Sequence, residues 1–177
     1  NFIKTVHEAG CNTFIIHARK AWLKGLSPKE NRDIPPLNYE RVLELKKLMP
    51  NLNISINGGI KTLEHAKELL TQLDGVMIGR AAYENPWMLK EADSLIYNTQ
   101  DPIWKNRKEL LTAYLPYVEQ ELSQGCPLTI ITRHLSSLFN GIPGSRKYRQ
   151  MLSEQAPKAK DGVELLQKAM AFVEEIG

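Results

Sequence analysis

Two short apolar runs that end in glycine constrain most strongly what this chain can fold into. Residues 54–60 read Ile-Ser-Ile-Asn-Gly-Gly-Ile, and residues 75–80 read Gly-Val-Met-Ile-Gly-Arg. Each run is apolar or β-branched and is followed by a helical pattern, which is typical of buried strands in a parallel sheet. Because ligands of parallel α/β folds bind at the carboxyl ends of the strands, the glycines fall where a binding site is expected.

The residues that end these two runs predict a cradle for a phosphate group. Asn57-Gly58-Gly59 leaves little side-chain bulk between the backbone amides and a ligand, and Gly79-Arg80 adds a bare amide and a fixed positive charge. In barrel folds a phosphate often lies on the loops after the last two strands. The alternative is two ordinary left-handed turns that end strands, and the two motifs alone leave both interpretations open.

Three strand–helix units follow one another between residues 13 and 97. The strands are predicted at residues 13–16, 54–56 and 76–78. Helical patterns follow at 39–49 and 63–73, the second capped by Thr62, and Asn85-Pro86 is predicted to begin a third helix. Strict alternation indicates a parallel sheet with right-handed crossovers. Three units do not close an eight-stranded barrel, so the predicted fold class is α/β, the C-terminal part of a (β/α)8 TIM barrel.

From about residue 99 the strand patterns give way to helical ones. Apolar stripes predict four helices, at residues 104–124, 128–139, 146–154 and from 161 onwards. Pro116 is expected to kink the first of these. We therefore predict two domains, residues 1–98 as the barrel portion and residues 99–177 as a small all-α bundle. The chain opens on what reads as a helix tail ending at Gly10, which leads us to expect a fragment.

Composition bounds the class of protein. Of the 177 residues, 42% are hydrophobic and 24% are charged, which is ordinary for a soluble globular protein, and a net charge of +3 does not by itself indicate nucleic acid. Cys11 and Cys126 are far apart and have no metal-ligand spacing, so neither a metal site nor a disulfide is expected. The sequence shows no membrane-spanning run, acid–base pair, catalytic triad or P-loop, and we predict a cytoplasmic protein.

A histidine and a long basic loop follow the first strand. His17 stands at the carboxyl end of that strand, at the same rim as the glycine motifs, which favours a ligand contact over a buried histidine. The loop from Lys20 to Asn38 carries Lys29, Arg32 and the aromatic Trp22, a combination that suits a polyanion. The alternative is a solvated loop with Trp22 packed down on the barrel.

A second basic cluster lies in the helical part. It consists of Arg133, Arg146, Lys147 and Arg149. A cluster of this kind is usually a solvated face. Two basic patches, one on each predicted domain and flanking one rim, nevertheless favour an extended anionic partner.

Several of these motifs together resemble one known family. Residues 17–39, beginning His-Ala-Arg-Lys-Ala-Trp, look like the signature loop of the tRNA-dihydrouridine synthases of the A type. Further motifs resemble the family's later ones in the same order, at residues 57–60, 79–82, 85–87, 133–134, 139–144 and 146–152. The resemblance implies an FMN-binding TIM barrel followed by a helical tRNA-binding domain. It implies an oxidoreductase that reduces the C5–C6 double bond of uridine in the tRNA D-loop, with NADPH as electron source.

The resemblance also implies roles for individual positions. The residues implied to bind FMN are His17, Asn57, Gly58, Gly59, Gly79 and Arg80. Among them the histidine contacts the flavin, while the two glycine loops hold the ribitol and the phosphate. The residues implied to contact tRNA are Lys29 and Arg32 in the long loop and Arg146 and Arg149 in the helical part.

One part of the family pattern is missing from this sequence. The family's catalytic cysteine, which protonates the uracil ring, is expected upstream of Asn1, and neither Cys11 nor Cys126 matches it. A lysine near the flavin and the first FMN-binding loop are expected there too. We therefore expect the chain to be inactive alone and to bind FMN weakly or not at all. We also expect the open sheet edge at Thr13–Ile16 to make it prone to association.

Two other functions fit parts of the pattern. A non-catalytic RNA-binding module would use the basic loop and the helical domain to grip tRNA without chemistry. Another FMN oxidoreductase, acting on a small molecule, would keep the phosphate cradle. A small substrate needs neither the long basic loop nor the basic C-terminal helix, which argues against this last function.

Overall fold

Three parallel strands form the centre of the first of two compact units. The structure, a computed structural model, describes residues 2–174. These divide into a first unit of residues 2–81 with 94–99, and a second unit of residues 82–93 with 100–174. The predicted domains also include residues 1 and 175–177, which lie outside the described residues. The two units interleave in sequence near residues 82–99, and the predicted domain boundary at residue 98 stays a prediction.

Helices and strands alternate along the first unit. Its elements are α1 (Phe2–Glu8), β1 (Thr13–His17), α2 (Tyr39–Leu48), β2 (Asn53–Asn57), α3 (Leu63–Leu70) and β3 (Gly75–Met77). All three predicted strands are confirmed. The helix α3 ends before its predicted limit, at Leu70, yet Leu73 beyond it is still buried in the core of this unit.

The central strand of this sheet is β2. The strand order is β1-β2-β3 and both pairings are parallel, as predicted. Ile54 and Ile56 of β2 are fully buried, which accords with a strand covered on both sides. The register pairs His17 with Asn57 and Asn57 with Met77, so these three residues form one row at the carboxyl ends of the strands.

Side-chain caps fix where two of the first unit's helices begin. The Asn38 side chain accepts a hydrogen bond from the Arg41 amide at the start of α2, and the predicted cap Thr62 accepts one from the His65 amide at the start of α3. Each bond satisfies an amide that has no partner inside its helix. These two hydrogen bonds thereby help to fix Tyr39 and Leu63 as the first residues of α2 and α3.

The segment after β3 differs from its prediction. It contains α4 (Arg80–Glu84), a 3₁₀ helix (Pro86–Glu91) and α5 (Ala92–Tyr97). Asn85 is the N-cap residue of this 3₁₀ helix and Pro86 begins it, as predicted, although the Asn85 side chain makes no capping hydrogen bond. The tight turn is closed instead by the backbone, where the Met88 amide donates to the Asn85 carbonyl at 3.1 Å.

The second unit is helical, as predicted. Its main helices are α6 (Arg107–Ser123), α7 (Leu128–Leu135), α8 (Ser145–Gln155) and α9 (Gly162–Met170). Asn106 caps α6 and the predicted cap Asp161 begins α9. The proline at position 116 lies inside α6, which runs on to Ser123.

Phe139 and Tyr148 form the centre of the second unit's core. Both side chains are fully buried, and their rings meet edge to face with centroids 4.8 Å apart. The Tyr148 hydroxyl donates to the Leu135 carbonyl at 3.2 Å. Burial raises the pKa of the Tyr148 phenol well above its usual range, so the group stays a neutral donor inside the core.

Neither a membrane-spanning helix nor a metal-binding cluster is found among residues 2–174. No helix in that range is long and apolar enough to cross a membrane. No group of three or more His, Cys, Asp or Glu side chains in the same range is placed to hold a metal ion.

Candidate functional site

A row of polar groups connects the carboxyl ends of the three strands. The His17 Nδ1 atom lies 2.8 Å from the Asn57 Oδ1 atom. The Asn57 Nδ2 group in turn donates to the Met77 carbonyl at 2.9 Å and lies 2.8 Å from the Met77 sulfur. The row is a direct consequence of the strand register, because each residue is the paired neighbour of the next. The predicted histidine is therefore positioned by the sheet and remains solvent-exposed.

The Gly58-Gly59 turn lies beside this row. Both glycines have positive φ angles, 123° and 68°, which side chains with a Cβ rarely adopt. A Cβ on Gly59 would lie 2.5 Å from the Leu37 Cδ1 atom, and the Tyr39 hydroxyl donates to the Gly58 carbonyl at 2.6 Å. Burial raises the pKa of the Tyr39 phenol, opposed by the nearby Arg19 charge, and this keeps the hydroxyl a donor.

The surroundings of Gly79 are different. A Cβ added to Gly79 would meet nothing within 4 Å among the described residues. Among residues 2–174, no backbone carbonyl outside the helices and strands accepts a hydrogen bond from the amides of Gly58, Gly59 and Gly79. Two of these glycines are thus needed for the packing of Leu37 and the turn itself, whereas Gly79 borders open space.

Arg80 lies next to this open space and begins α4. Its guanidinium forms an ion pair with the Asp33 carboxylate, with 2.6 Å between the Arg80 Nη1 and Asp33 Oδ1 atoms. Both side chains are largely exposed, at 62% and 45%, so the pair is well hydrated and individually weak. The predicted phosphate-binding cation therefore has an intramolecular anion as its partner.

The long loop after β1 is tied back onto the strand end. The Arg19 guanidinium donates to the Asp33 carbonyl at 3.2 Å and to the Pro35 carbonyl, and the Asn38 amide donates to the Ala18 carbonyl at 2.7 Å. Arg19 thus holds the loop against the end of β1. These bonds give the loop a defined path past the strand ends.

Asn31 organises the interior of this loop. Its side chain accepts from the Trp22 amide at 2.7 Å and donates to the carbonyls of Trp22, Leu26 and Ser27. Trp22 itself is 47% exposed, so it is not packed down as a core residue would be.

A reciprocal pair of hydrogen bonds joins Ser27 to Glu30, the first residue of the 3₁₀ turn at Glu30–Arg32. The Ser27 amide donates to the Glu30 carboxylate at 2.7 Å, and the Glu30 amide donates to the Ser27 hydroxyl at 3.3 Å. The hydrogen bonds from the Ser27 hydroxyl and amide hold the pKa of Glu30 below its usual value. The Ser27–Glu30 pair supports the backbone on which Lys29 and Arg32 lie, and both of these side chains are exposed.

Of the predicted basic residues of the second unit, Arg133 lies on α7 and the other three lie on α8. Arg146 and Lys147 are exposed, and Arg149 donates to the Asn140 side chain at 2.9 Å. Asn140 in turn donates to the Glu84 carbonyl at 2.8 Å. The Arg149 guanidinium is thereby held in one place, and the Lys147 ammonium lies over the Phe172 ring, 5.8 Å from its centroid.

The structure brings together some predicted site residues and separates others by unit. The six predicted cofactor residues all lie in the first unit, at the carboxyl ends of β1, β2 and β3 or directly after them. Of the predicted tRNA residues, Lys29 and Arg32 belong to the first unit and Arg146 and Arg149 to the second.

Four residues at this rim were not singled out from the sequence. They are Asp33, Leu37, Tyr39 and Met77. Their contacts join the long loop, the Gly58-Gly59 turn and β3, so no local sequence pattern predicts these residues. The one available signal is the position of Tyr39, a large polar aromatic residue at the first turn of a helix that follows a long loop.

The fold and this rim define the class of the protein. It is an α/β protein with a parallel sheet whose strand ends carry glycine-rich loops, a histidine and an arginine. The profile of the dihydrouridine synthase (Dus) family matches residues 1–175, so the chain belongs to that family. Proteins of the family are flavin-dependent and fold as TIM barrels. The match therefore confirms both the family and the fold class that were predicted from the sequence.

Curated relatives are similar over nearly the whole chain. A tRNA-dihydrouridine(20/20a) synthase of Yersinia pestis is 54% identical over 97% of this chain and 50% of its own length. Proteins of the same name from Pasteurella multocida and Vibrio cholerae are 52% and 50% identical, over 97% and 99% of this chain and 52% and 54% of their own lengths. The chain therefore spans about half the length of the relatives that it matches.

Proposed function

We propose that this chain supplies the phosphate end of the cofactor site and part of the tRNA surface of a tRNA-dihydrouridine synthase. The enzyme would reduce the C5–C6 double bond of a uridine in the tRNA D-loop, with FMN as cofactor and NADPH as electron source. The relatives' names, which specify positions 20 and 20a of tRNA, support this substrate. The row of His17, Asn57 and Met77, with the glycine amides and Arg80 beside it, is the structural observation that carries the proposal.

The residues present fit the phosphate of FMN. No backbone carbonyl outside the helices and strands of residues 2–174 accepts from the amides of Gly58, Gly59 and Gly79, and an anion accepts hydrogen bonds from such donors readily. Arg80 supplies a permanent positive charge next to them. The phosphate would share Arg80 with Asp33 or displace that carboxylate, and either exchange costs little free energy because the pair is exposed. Bound there, FMN would supply the hydride for uridine reduction.

The basic residues have a separate role in this proposal. Lys29 and Arg32, at the 3₁₀ turn of the loop, and Arg146 and Arg149, in the helical unit, would contact the tRNA backbone. Residues 1–98 would then be the cofactor-binding barrel portion and residues 99–177 the tRNA-binding domain of a cytoplasmic enzyme. The base itself would have to leave its stack to be reduced, which requires such contacts to hold the RNA in register.

Neither cysteine of the chain is placed to be the proton donor. Cys11 precedes β1, at the opposite end of that strand from His17, and its thiol donates to the Thr13 carbonyl at 3.3 Å. Cys126 lies in the helical unit beside Pro127. We therefore expect no dihydrouridine formation by the 177-residue chain alone, and at most weak flavin binding, which an absorbance spectrum of the purified chain measures.

A chimaera tests the proposed activity directly. The chain replaces the matching half of the Yersinia pestis relative, and dihydrouridine is then measured in tRNA incubated with FMN and NADPH. Activity is expected because the chain is 54% identical to the half it replaces. A folded chimaera that binds tRNA but neither retains flavin nor reduces uridine would favour the second function, a non-catalytic RNA-binding module.

In the same chimaera, Arg80→Ala is expected to weaken FMN retention by about 10- to 100-fold, because the phosphate no longer receives a charge-assisted hydrogen bond from this side chain. Asp33→Asn is the matched control, since it removes the partner of Arg80 and keeps the cation. It should leave FMN binding unchanged or tighter. Equal weakening in both variants, measured by flavin fluorescence, would mean that the ion pair acts on the fold of the loop and not on the phosphate.

The paired substitution Lys29→Ala with Arg32→Ala is expected to weaken tRNA binding while flavin stays bound. Removing two cations that face RNA phosphates should reduce the slope of log affinity against log salt by about 1 to 2. Lys47→Ala with Lys67→Ala removes two exposed cations on α2 and α3 and should change neither quantity. Loss of flavin from the loop variant, or an equal effect of the control pair, would contradict this division of roles.

A further inference from the structure

The orientation of the Asn57 side chain is fixed by its two neighbours. One end of the amide lies 2.9 Å from the Met77 carbonyl oxygen, and the same end lies 2.8 Å from the Met77 sulfur. Both of these atoms are acceptors only. The end that faces them must therefore be the NH2 group, which leaves the Asn57 Oδ1 atom to face His17.

This orientation determines which ring nitrogen of His17 carries the proton. The Asn57 Oδ1 atom lies 2.8 Å from the His17 Nδ1 atom, and a carbonyl oxygen can only accept a hydrogen bond. Hence Nδ1 is the donor. In the neutral imidazole one nitrogen donates and the other accepts, so the lone pair is left on Nε2.

We propose that Asn57 is a positioning residue that locks His17 in its Nδ1–H tautomer, so that Nε2 presents a hydrogen-bond acceptor at the rim. The group that it recognises is then a donor, a hydroxyl or a ring N–H, and not an ionised phosphate oxygen. The identity of this group as part of the flavin or its ribitol rests on the proposed function. The tautomer itself does not.

Gly58 supports the same arrangement. A Cβ on Gly58 would lie 3.2 Å from the His17 Cε1 atom and 3.3 Å from its Nδ1 atom, tighter than ordinary van der Waals contact. The absence of a side chain lets the imidazole lie against the turn while it keeps its bond to Asn57. The turn and the asparagine thus hold the ring from two directions.

Nuclear magnetic resonance of the 177-residue chain, without flavin, tests the tautomer. Long-range proton–nitrogen correlations at about pH 8.5, well above the ordinary histidine pKa of about 6.5, show which ring nitrogen is protonated. The chain has four histidines, and His17→Gln assigns the signals of position 17. We expect Nδ1 protonated and Nε2 bare. The opposite pattern overturns the proposal.

Two substitutions separate positioning from a merely structural effect. In Asn57→Ala the His17 signals should move towards the Nε2–H form that free histidine favours in water. In Asn57→Asp the acceptor is kept, so the Nδ1–H pattern should persist. His7 is the internal reference, because its Nδ1 lies 3.2 Å from the Cys11 carbonyl and should be unaffected by either change. An unchanged His17 pattern in Asn57→Ala overturns the assignment.

A measurement on the flavin-loaded chimaera tests the polarity of the interaction. There the bare Nε2 resonance of His17 should shift upfield, as expected when a lone pair accepts a hydrogen bond. Protonation of Nε2 on loading would overturn the assignment of a donor group to the ligand. Failure of the chimaera to bind flavin would count against the proposed function alone, because the tautomer is read in the chain without flavin.

Discussion

At the scale of single residues, the turn Gly141-Ile-Pro-Gly144 contains two glycines with the same backbone and different surroundings. Their φ angles are 81° and 84°. A Cβ on Gly141 would meet nothing within 4 Å among the described residues, whereas one on Gly144 would overlap the backbone carbonyl of Phe172. The comparison separates the cost of a left-handed backbone from the cost of a steric overlap.

We predict that Gly141→Ala lowers the free energy of unfolding by about 1–2 kcal/mol, the cost of a Cβ in the left-handed region. Gly144→Ala should cost at least about 3 kcal/mol, since backbone atoms of the last described segment must also move. Urea unfolding followed by circular dichroism measures both. Similar destabilisation of the two variants would show that the close packing of Gly144 against Phe172 contributes nothing.

At the scale of elements, one ion pair ties α2 to the start of β2 and to the turn before β3. The Asp74 carboxylate accepts from the Ile54 amide at 2.8 Å and from the Lys46 ammonium at 2.7 Å. Lys46 also donates to the carbonyls of Pro50 and Leu52. The hydrogen bond from the Ile54 amide, and after it the one from Lys46, hold the pKa of Asp74 below its usual value.

We predict that Asp74→Asn lowers the free energy of unfolding by about 1–2 kcal/mol at neutral pH, the value of a charge-assisted hydrogen bond reduced by partial exposure. Because the pKa is lower in the folded than in the unfolded chain, this contribution is present above the ordinary pKa of about 3.9. It is lost as the pH falls through the lowered folded value.

Urea unfolding between neutral pH and about pH 3 should therefore show the difference between Asp74→Asn and the unsubstituted chain shrinking below about pH 4. Glu68→Gln, an exposed carboxylate on α3, is the control and should stay within about 0.5 kcal/mol throughout. A difference that is constant across this pH range would contradict the linkage.

At the scale of the whole molecule, β1 is one of the two outer strands of the sheet. No strand lies beyond it among residues 2–174, and Ile15 on its exposed face is 63% accessible. An open apolar cleft of about 1160 Å³ borders this strand in the first unit. Its apolar lining includes Phe2, Ile3, Val42, Leu45, Leu48 and Met49. An unpaired strand edge beside an apolar surface is a template for association.

We predict that the 177-residue chain self-associates as its concentration rises, and that Ile15→Lys shifts it towards monomer by placing a charge on the edge strand. Sedimentation velocity over a dilution series measures the effect. Ile103→Lys, at an 82% exposed position outside the sheet, is the matched control and should not change association. Equal shifts in both variants would point to net charge and not to the strand edge.

The sequence predicted the elements of this protein well where the signal is local. The apolar runs around Ile54 and Val76 and the cap at Thr62 lie where they were expected, because strand burial and helix capping depend on neighbours in sequence. Asn85 and Pro86 also begin a helix as expected, but it is a 3₁₀ helix in which the Asn85 carbonyl, and not its side chain, accepts the first hydrogen bond.

The sequence by itself determined the family, the alternation of strands and helices, and the presence of glycines and cations at the strand ends. Only the tertiary structure decided which of those groups form hydrogen bonds or ion pairs with one another. The pairing of Arg80 with Asp33, and the lock of His17 by Asn57 and Met77, join residues from separate loops and strands. Strand register and the path of a long loop set these interactions, and neither is encoded in any local stretch of the chain.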